Sequence, residues 1–306
     1  MSFNSLMALL VASTVEHLDP KPTVMELGNQ TLRADDRTLR TVLARIGARD
    51  EVDVAGLERL IAQGEANRGE RAEDYYRRVG FSDYRAIDVN DLYGSLVMDL
   101  NKDLALAYDY HDTFSLVTNN GTGEHVFNQQ TIYKNTHAMT KPGGLMIHVQ
   151  PFIDYVNHGF FSIHPNLYQA LAAANGYEVL ALGVSNRDGE GLTGYGPGAA
   201  ANPNPVLARE TRVEIDVLLS EAKTLARGPR GWLKRFAGKP DARRFGAEIR
   251  RLQRRTPKLL CFAILKKKRD LPFQIPIQGI YESAVEDPAL QSEYGLESET
   301  GGAANG

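Results

Sequence analysis

Residues 113–125 read Thr-Phe-Ser-Leu-Val-Thr-Asn-Asn-Gly-Thr-Gly-Glu-His, and residues 140–151 read Thr-Lys-Pro-Gly-Gly-Leu-Met-Ile-His-Val-Gln-Pro. Phe114 to Val117 is an apolar run that stops abruptly at Asn119-Asn120-Gly121, the pattern of a buried parallel strand feeding a polar loop at its carboxyl end. Between the two stretches, Val126, Phe127, Ile132, Tyr133 and Met139 recur near helical spacing, so 125–139 is expected to be a crossover helix that Pro142-Gly143-Gly144 punctuates. Leu145 to Val149 is the next strand. Strand, loop, helix and strand make one βαβ unit, and in such sheets ligands sit at the carboxyl ends of the strands. The loop from Asn119 to His125 is therefore the first place to look for chemistry.

Working outward, Phe3 to His17 is expected to be a helix, ended by Asp19-Pro20-Lys21-Pro22. Thr23-Val-Met-Glu-Leu-Gly28 reads as the first strand and its turn. From 34 to about 80 the pattern is helical and charged, with apolar faces at Leu39, Val42, Leu43 and Ile46, at Leu57, Leu60 and Ile61, and at Tyr75, Tyr76 and Val79. Tyr84 to Asn90 is the second strand, and Leu96 to Asn101 lies at the end of the third. Pro165 to Asn175 forms a helix with proline in a favoured early position, Glu178 to Val184 another strand, and Leu259 to Leu265 the last. Strands alternating with helices predict an α/β, Rossmann-like three-layer sandwich with a mostly parallel sheet of about seven strands and helical insertions. Residues 186–258 are expected to hold a loop and a basic helical insertion, 259–281 the last strand region, and the tail from 282 is expected to be disordered.

The chain has 306 residues and a formal net charge of −3, which gives no sign of a nucleic-acid partner. One cysteine, Cys261, excludes an internal disulfide and fits a reducing, cytoplasmic setting. No apolar run approaches the ~18 residues of a membrane span. The N-terminal apolar segment has no basic region before it, and reads as a packed helix rather than a targeting peptide.

With these pieces in order, the chain resembles class I S-adenosylmethionine-dependent methyltransferases, and within them bacterial proteins with an Asn-x-Gly-Thr-x-Glu-His loop. The resemblance covers roughly 23–184 and the strand at 259–268. It implies S-adenosylmethionine as cofactor and methyl transfer to an oxygen or nitrogen of a small molecule or sugar. It places Glu26 and Gly28 near the cofactor's methionine end, Asp88 on the ribose hydroxyls, Asp99, Leu100 and Asn101 beside the adenine, and Asn119 to His125 facing the methyl group. A carboxylate can accept from both ribose hydroxyls, and a glycine loop lets backbone approach a ligand. Two features depart from the family. The first loop, Gly28-Asn29-Gln30-Thr31-Leu32, keeps one glycine where several are usual, and Asp88 follows Gly28 by 60 positions. The usual spacing of about 20 points instead to Asp50, Glu51 or Asp53; Asp88 is preferred because it ends a strand-like run, whereas Asp53 looks like a helix cap.

Each candidate has a plainer reading beside it. Gly28 can serve a strand–turn–helix junction with no ligand. Asn119, Gly121, Glu124 and His125 can be a turn and a helix start, with Thr122 as cap and Glu124 held ionised by the helix N-terminus. His148 lies inside a strand and reads equally well as a core residue. His125 and His158 are candidate general bases, with Glu124 beside them to hold cofactor or a substrate cation. The seven histidines show no ligand spacing, so no metal is indicated. The stretch 223–269, dense in Lys and Arg around Arg230-Gly-Trp232-Leu-Lys-Arg-Phe236, suits a solvated helix pair, an anionic membrane surface met peripherally, or a phosphorylated or nucleic-acid substrate. Two other functions stay open: a methyltransferase-like protein without catalysis acting as a binding or assembly partner, and another nucleotide-dependent enzyme such as a dehydrogenase. The absence of Gly-x-Gly-x-x-Gly counts against the latter.

Overall fold

The computed structural model describes residues 2–64, 70–155, 158–189, 193–194 and 258–294. In chain order its strands are β1 (Phe3–Asn4), β2 (Thr23–Leu27), β3 (Leu32–Arg33), β4 (Asp83–Asp88), β5 (Leu96–Val97), β6 (Phe114–Asn120), β7 (Thr140–Ile153), β8 (Glu178–Ser185), β9 (Thr193–Gly194) and β10 (Leu259–Lys266). The helices that flank them are α1 (Ser5–Thr14), α2 (Asp36–Ile46), α3 (Val54–Ala62), α4 (Ala72–Arg78), α5 (Leu104–Tyr108), α6 (Gln129–Met139) and α7 (Pro165–Asn175). β1 and β3 form a separate two-stranded parallel pair.

The main sheet has eight strands in the order β5-β4-β2-β6-β7-β10-β8-β9. β5, β4, β2, β6 and β7 run parallel. β10 lies antiparallel between β7 and β8, and β9 is antiparallel to β8. The dinucleotide-binding order 3-2-1-4-5-6 is thus kept for the first five strands and broken by a late strand wedged before the next one.

Strand alternation supplies two cores. Val24, Leu116, Ile147 and Phe262 point to one face, where they meet α1 to α4; Met25, Val117, Met146 and Cys261 point to the other, against α5, α6 and α7. Each such side chain contributes roughly 1.5–3 kcal/mol by leaving water, so a one-residue slip would turn both cores outward. This is the three-layer α/β sandwich expected. α1 is apolar on nearly every side and buried along almost its whole length. Its cap Asn4 accepts the Met7 N–H at 3.0 Å.

Several expectations need correction. The helix predicted over 125–139 starts only at Gln129, because Asn128 caps it by accepting the Thr131 N–H (3.4 Å), while Gly123–His125 forms a separate 3-10 turn. Phe127, assigned to the apolar helix face, is 75% exposed. Pro142-Gly143-Gly144 does not separate helix from strand but lies within β7, where the register shifts opposite Phe114 to Leu116. The tail contains a 3-10 helix at Gly279–Ala284 and an α-helix at Pro288–Glu293, whose cap Asp287 accepts the Ala289 N–H at 2.8 Å; residues 295–306 are outside the described residues, as are 195–257 and with them most of the basic stretch. Of its described part, Lys267 is not on a solvated face: it is buried, its Nζ donating to the His137 carbonyl (3.1 Å) and pairing with Asp270 (2.9 Å). Among the described residues no helix is long and apolar enough to cross a membrane.

Candidate functional site

At the carboxyl ends of β2, β4 and β6 the sheet opens into a cleft of about 330 Å³, within the range of small-molecule sites. Gly28, Asp88, Asp99, Leu100, Gly121 and His125 all line it. The cleft lies at the carboxyl ends of the neighbouring strands β2 and β6, the point at which strand order reverses.

Gly28 has φ +77° and donates to the Ile87 carbonyl at 2.7 Å. Its hydrogen side faces Thr122, whose Oγ1 donates to the Leu27 carbonyl (2.6 Å) and would stand 2.3 Å from a β-carbon. That glycine is thus required by the fold, with or without a ligand. The rest of the first loop is held by side chains where glycines are usual. Gln30 and Asn120 exchange amide bonds, Asn120 Nδ2 reaching Gln30 Oε1 at 2.6 Å while Gln30 Nε2 donates to the Asn120 carbonyl. Asn29 Nδ2 donates to Ser95 Oγ at 2.9 Å.

Asp88 lines the cleft at the end of β4. Its Oδ2 accepts the Asn29 N–H (3.0 Å), and its Oδ1 accepts the Val89 N–H (2.7 Å) and Asn90 Nδ2 (3.3 Å). A carboxylate offers about four lone-pair sites, so among the described residues one is left over, and a second opens if the exposed Asn90 turns away. Asp53 is spent elsewhere: it caps α3, accepting the Gly56 N–H at 2.8 Å. Asp99 accepts from the Asn101 backbone and side chain (2.9 and 3.0 Å), which hold its carboxyl below the usual range.

Two predicted residues sit behind the cleft. Glu26 points into the α1–α4 layer, wholly buried, with the Tyr84 hydroxyl donating to its Oε2 at 2.6 Å and Oε1 unpartnered among the described residues. Burial pushes its carboxyl up to about 8, against the Tyr84 bond and the Gln30 backbone amide. Asn119 is also buried; its Oδ1 accepts the Gly123 N–H (2.9 Å) and its Nδ2 meets His148 Nδ1 (3.3 Å). His148 is a core residue, stacked on Tyr168 and pushed down to about 3 by burial.

Glu124, His125 and His158 converge at the cleft's edge. Glu124 Oε1 lies 3.3 Å from His158 Nε2 and 3.8 Å from His125 Nε2, and the two imidazoles meet edge-on with centroids 4.8 Å apart. The expectation that a helix N-terminus keeps Glu124 ionised fails for two reasons. The turn at 123–125 is a short 3-10 segment, and the carboxylate is 0% exposed, so burial raises it to about 7, opposed in part by the Gln150 side chain. Thr122 makes no cap bond there. Burial also holds both imidazoles below their ordinary value. Gly159 (φ +67°) packs its backbone on Glu124, and the Phe160 N–H donates to the Glu124 carbonyl at 2.7 Å.

Sequence reasoning missed the surroundings of this cluster. Phe127 and Phe160, 75% and 69% exposed, meet edge-to-face at 6.1 Å beside it. Beneath it, Gln150 Oε1 accepts from the Tyr133 (3.0 Å) and Tyr168 (2.8 Å) hydroxyls. Phe-Phe-Ser at 160–162 following a histidine and glycine was the available signal for an exposed aromatic rim.

No family model matches the chain, and no curated protein does. Solved structures do. The chain is similar to the trans-methyltransferase CalH in complex with SAH, at 12% identity and a TM-score of 0.29, over 48% of this chain and 36% of that one; it therefore spans little more than a third of that relative's length. It is similar to the [4+2]-cyclase SpnF at 14% identity and TM-score 0.37, over 86% and 80%. A SAM-dependent methyltransferase from Archaeoglobus fulgidus gives 10% identity and TM-score 0.36, over 86% and 93%. These likenesses stand beside the topology described above and add no argument about chemistry.

Proposed function

We propose that the chain binds S-adenosylmethionine in the cleft and transfers its methyl group to an oxygen or nitrogen of a small molecule or sugar. The observation that carries this reading is the position of Asp88: an acid at the end of β4, facing a crevice at the strand-order reversal, with the Gly28 and Gly121 turns on either side. In this reading Asp88 holds a ribose hydroxyl with its free lone pair. Met98, Asp99 and Leu100 flank the adenine, and Gly28 and Gly121 give the backbone close approach. Glu26 and Asn119 act from behind as positioning residues for the two loops.

When bound, the cofactor would supply an electrophilic methyl whose C–S electron pair stays on sulfur as the acceptor's lone pair forms the new bond. The chain's own work is placement. His158, oriented by Glu124, accepts the proton that a hydroxyl acceptor loses. Phe127 and Phe160 offer the acceptor an apolar face.

One observation favours a reading without catalysis: Gln30 and Asn120 bond to each other, and Asn29 Nδ2 to Ser95, in the loop where the family carries glycines. Calorimetric titration with S-adenosylhomocysteine, on the wild type and on Asp88→Ala, decides between them. Micromolar binding that the variant loses supports the methyltransferase reading. A folded wild type that binds nothing favours the non-catalytic one. Binding retained by the variant removes Asp88 from its role.

A further inference from the structure

The geometry points to a metal site: we infer that Glu124, His125 and His158 bind one divalent first-row transition ion, such as Zn²⁺ or Mn²⁺, at the edge of the cleft. Two imidazoles and one carboxylate on a single face, with other positions open, are the donor set of many catalytic metal sites. The sequence hides this set, because His158 comes from the far side of β7.

Around a metal with bonds of about 2.1 Å, neighbouring ligand atoms stand roughly 3.0–3.5 Å apart. Glu124 Oε1 and His158 Nε2, at 3.3 Å, already meet that spacing; His125 Nε2, at 3.8 Å from the same oxygen, would have to draw closer on binding, and its half-exposed side chain leaves it room to do so. All three ligand atoms lie within 4.8 Å of one another. A second observation points the same way. The Glu124 carboxylate is fully buried, and among the described residues its Oε2 makes no close hydrogen bond, the Gln150 side chain being the polar group that faces the carboxyl. A buried acid with an empty lone pair is costly, and a cation bound at its other oxygen would offset that cost.

The two histidine side chains remain 47% and 31% exposed, so the ion's remaining positions face the cleft and solvent. Arg187 and Lys258 place positive charge toward His158 and work against a cation; the buried carboxylate, closer to the ion, outweighs them. Binding itself does not rest on the methyl-transfer reading. What the ion would do there does: it would supply Lewis-acid chemistry that lowers the pKa of an acceptor hydroxyl, and with the ion bound His158 would serve as a ligand in place of its role as base.

The test is titration of chelator-stripped protein, without any adenosyl compound, with CoCl₂ followed by its visible absorption bands, and with ZnCl₂ by calorimetry. The expected result is one ion per chain, with the dissociation constant raised at least about 30-fold, some 2 kcal/mol, in His125→Ala and again in His158→Ala, and binding lost in the double variant. His111→Ala, on an exposed histidine outside the cluster, should bind as the wild type does. No bound ion, unchanged binding in both variants, or an effect in only one of them overturns the three-ligand assignment. Both histidines are partly exposed, so these variants should fold where Glu124→Gln, at a fully buried site, need not. A failed titration with S-adenosylhomocysteine leaves this result standing, and the reverse also holds.

Discussion

Thr122 fills the space that a β-carbon on Gly28 would need, and the hydroxyl responsible is itself fixed by the Leu27 carbonyl at 2.6 Å. The turn after β2 and the loop after β6 therefore interlock through one glycine and one threonine. Gly28→Ala should destabilise the fold by about 2–3 kcal/mol, combining the strain of a positive φ with displacement of Thr122. Chemical denaturation at neutral pH measures it. Thr122→Ser should not rescue the variant, because the hydroxyl is what collides; full recovery would show that the interlock is looser than the geometry states.

Glu26 makes stability depend on pH. Its carboxyl is pushed up to about 8 in the folded chain, while unfolded chain ionises near 4.3. Between those values the folded state holds a proton that the unfolded state has released. Stability should therefore be greatest at the acid end of that window, fall as pH rises through it by up to about 1.4 kcal/mol per pH unit, and level off above pH 8. Glu26→Gln keeps an acceptor for the Tyr84 hydroxyl and should remove one proton's worth of that slope, read from denaturation midpoints across pH 5–8.

Asn119 joins two groups that need opposite partners, an N–H at Gly123 and an imidazole nitrogen at His148. Asn119→Asp keeps the first and sets an acceptor against the second. The expected outcome is a loss of about 1–3 kcal/mol and a His148 ring that titrates well above its present value near 3, visible in its ring-proton NMR shifts. An unmoved His148 would mean that its contact with Asn119 is not a hydrogen bond.

Phe127 and Phe160 should matter to binding and not to folding. Each single alanine variant is expected to shift stability by no more than about 0.5 kcal/mol, since both rings stand in solvent. With an acceptor in hand, the same changes should raise its KM by about tenfold, some 1.4 kcal/mol of lost apolar contact, with kcat little changed. Initial rates of S-adenosylhomocysteine release measure both.

What the sequence revealed and what it hid follow from burial. Phe114 to Val117 and Leu259 to Leu265 are recognisable as strands because a buried strand must be apolar on both faces. Asp88 was separable from Asp53 because a strand end and a helix cap carry different neighbours. The burial of Glu124 has no local signal, since the same Gly-Glu-His could stand on an exposed helix end or under a folded-back segment, and residues 158–161 decide which. Phe127 lies outside the helix for a related reason: helical spacing cannot tell where a cap such as Asn128 starts the helix. The approach of His158 to Glu124 across 34 positions has no local signal at all.

β10 gives the chain an order of assembly. Its eight residues sit between β7 and β8, yet leave the ribosome more than seventy positions after β8 ends at Ser185. Until then the edges of β7 and β8 that pair with β10 lack that partner, and each is able to recruit a strand from another polypeptide. Completion of the sheet is thus a long-range closure. Synthesis halted before Leu259 should yield a species that sticks to its neighbours rather than a smaller folded domain.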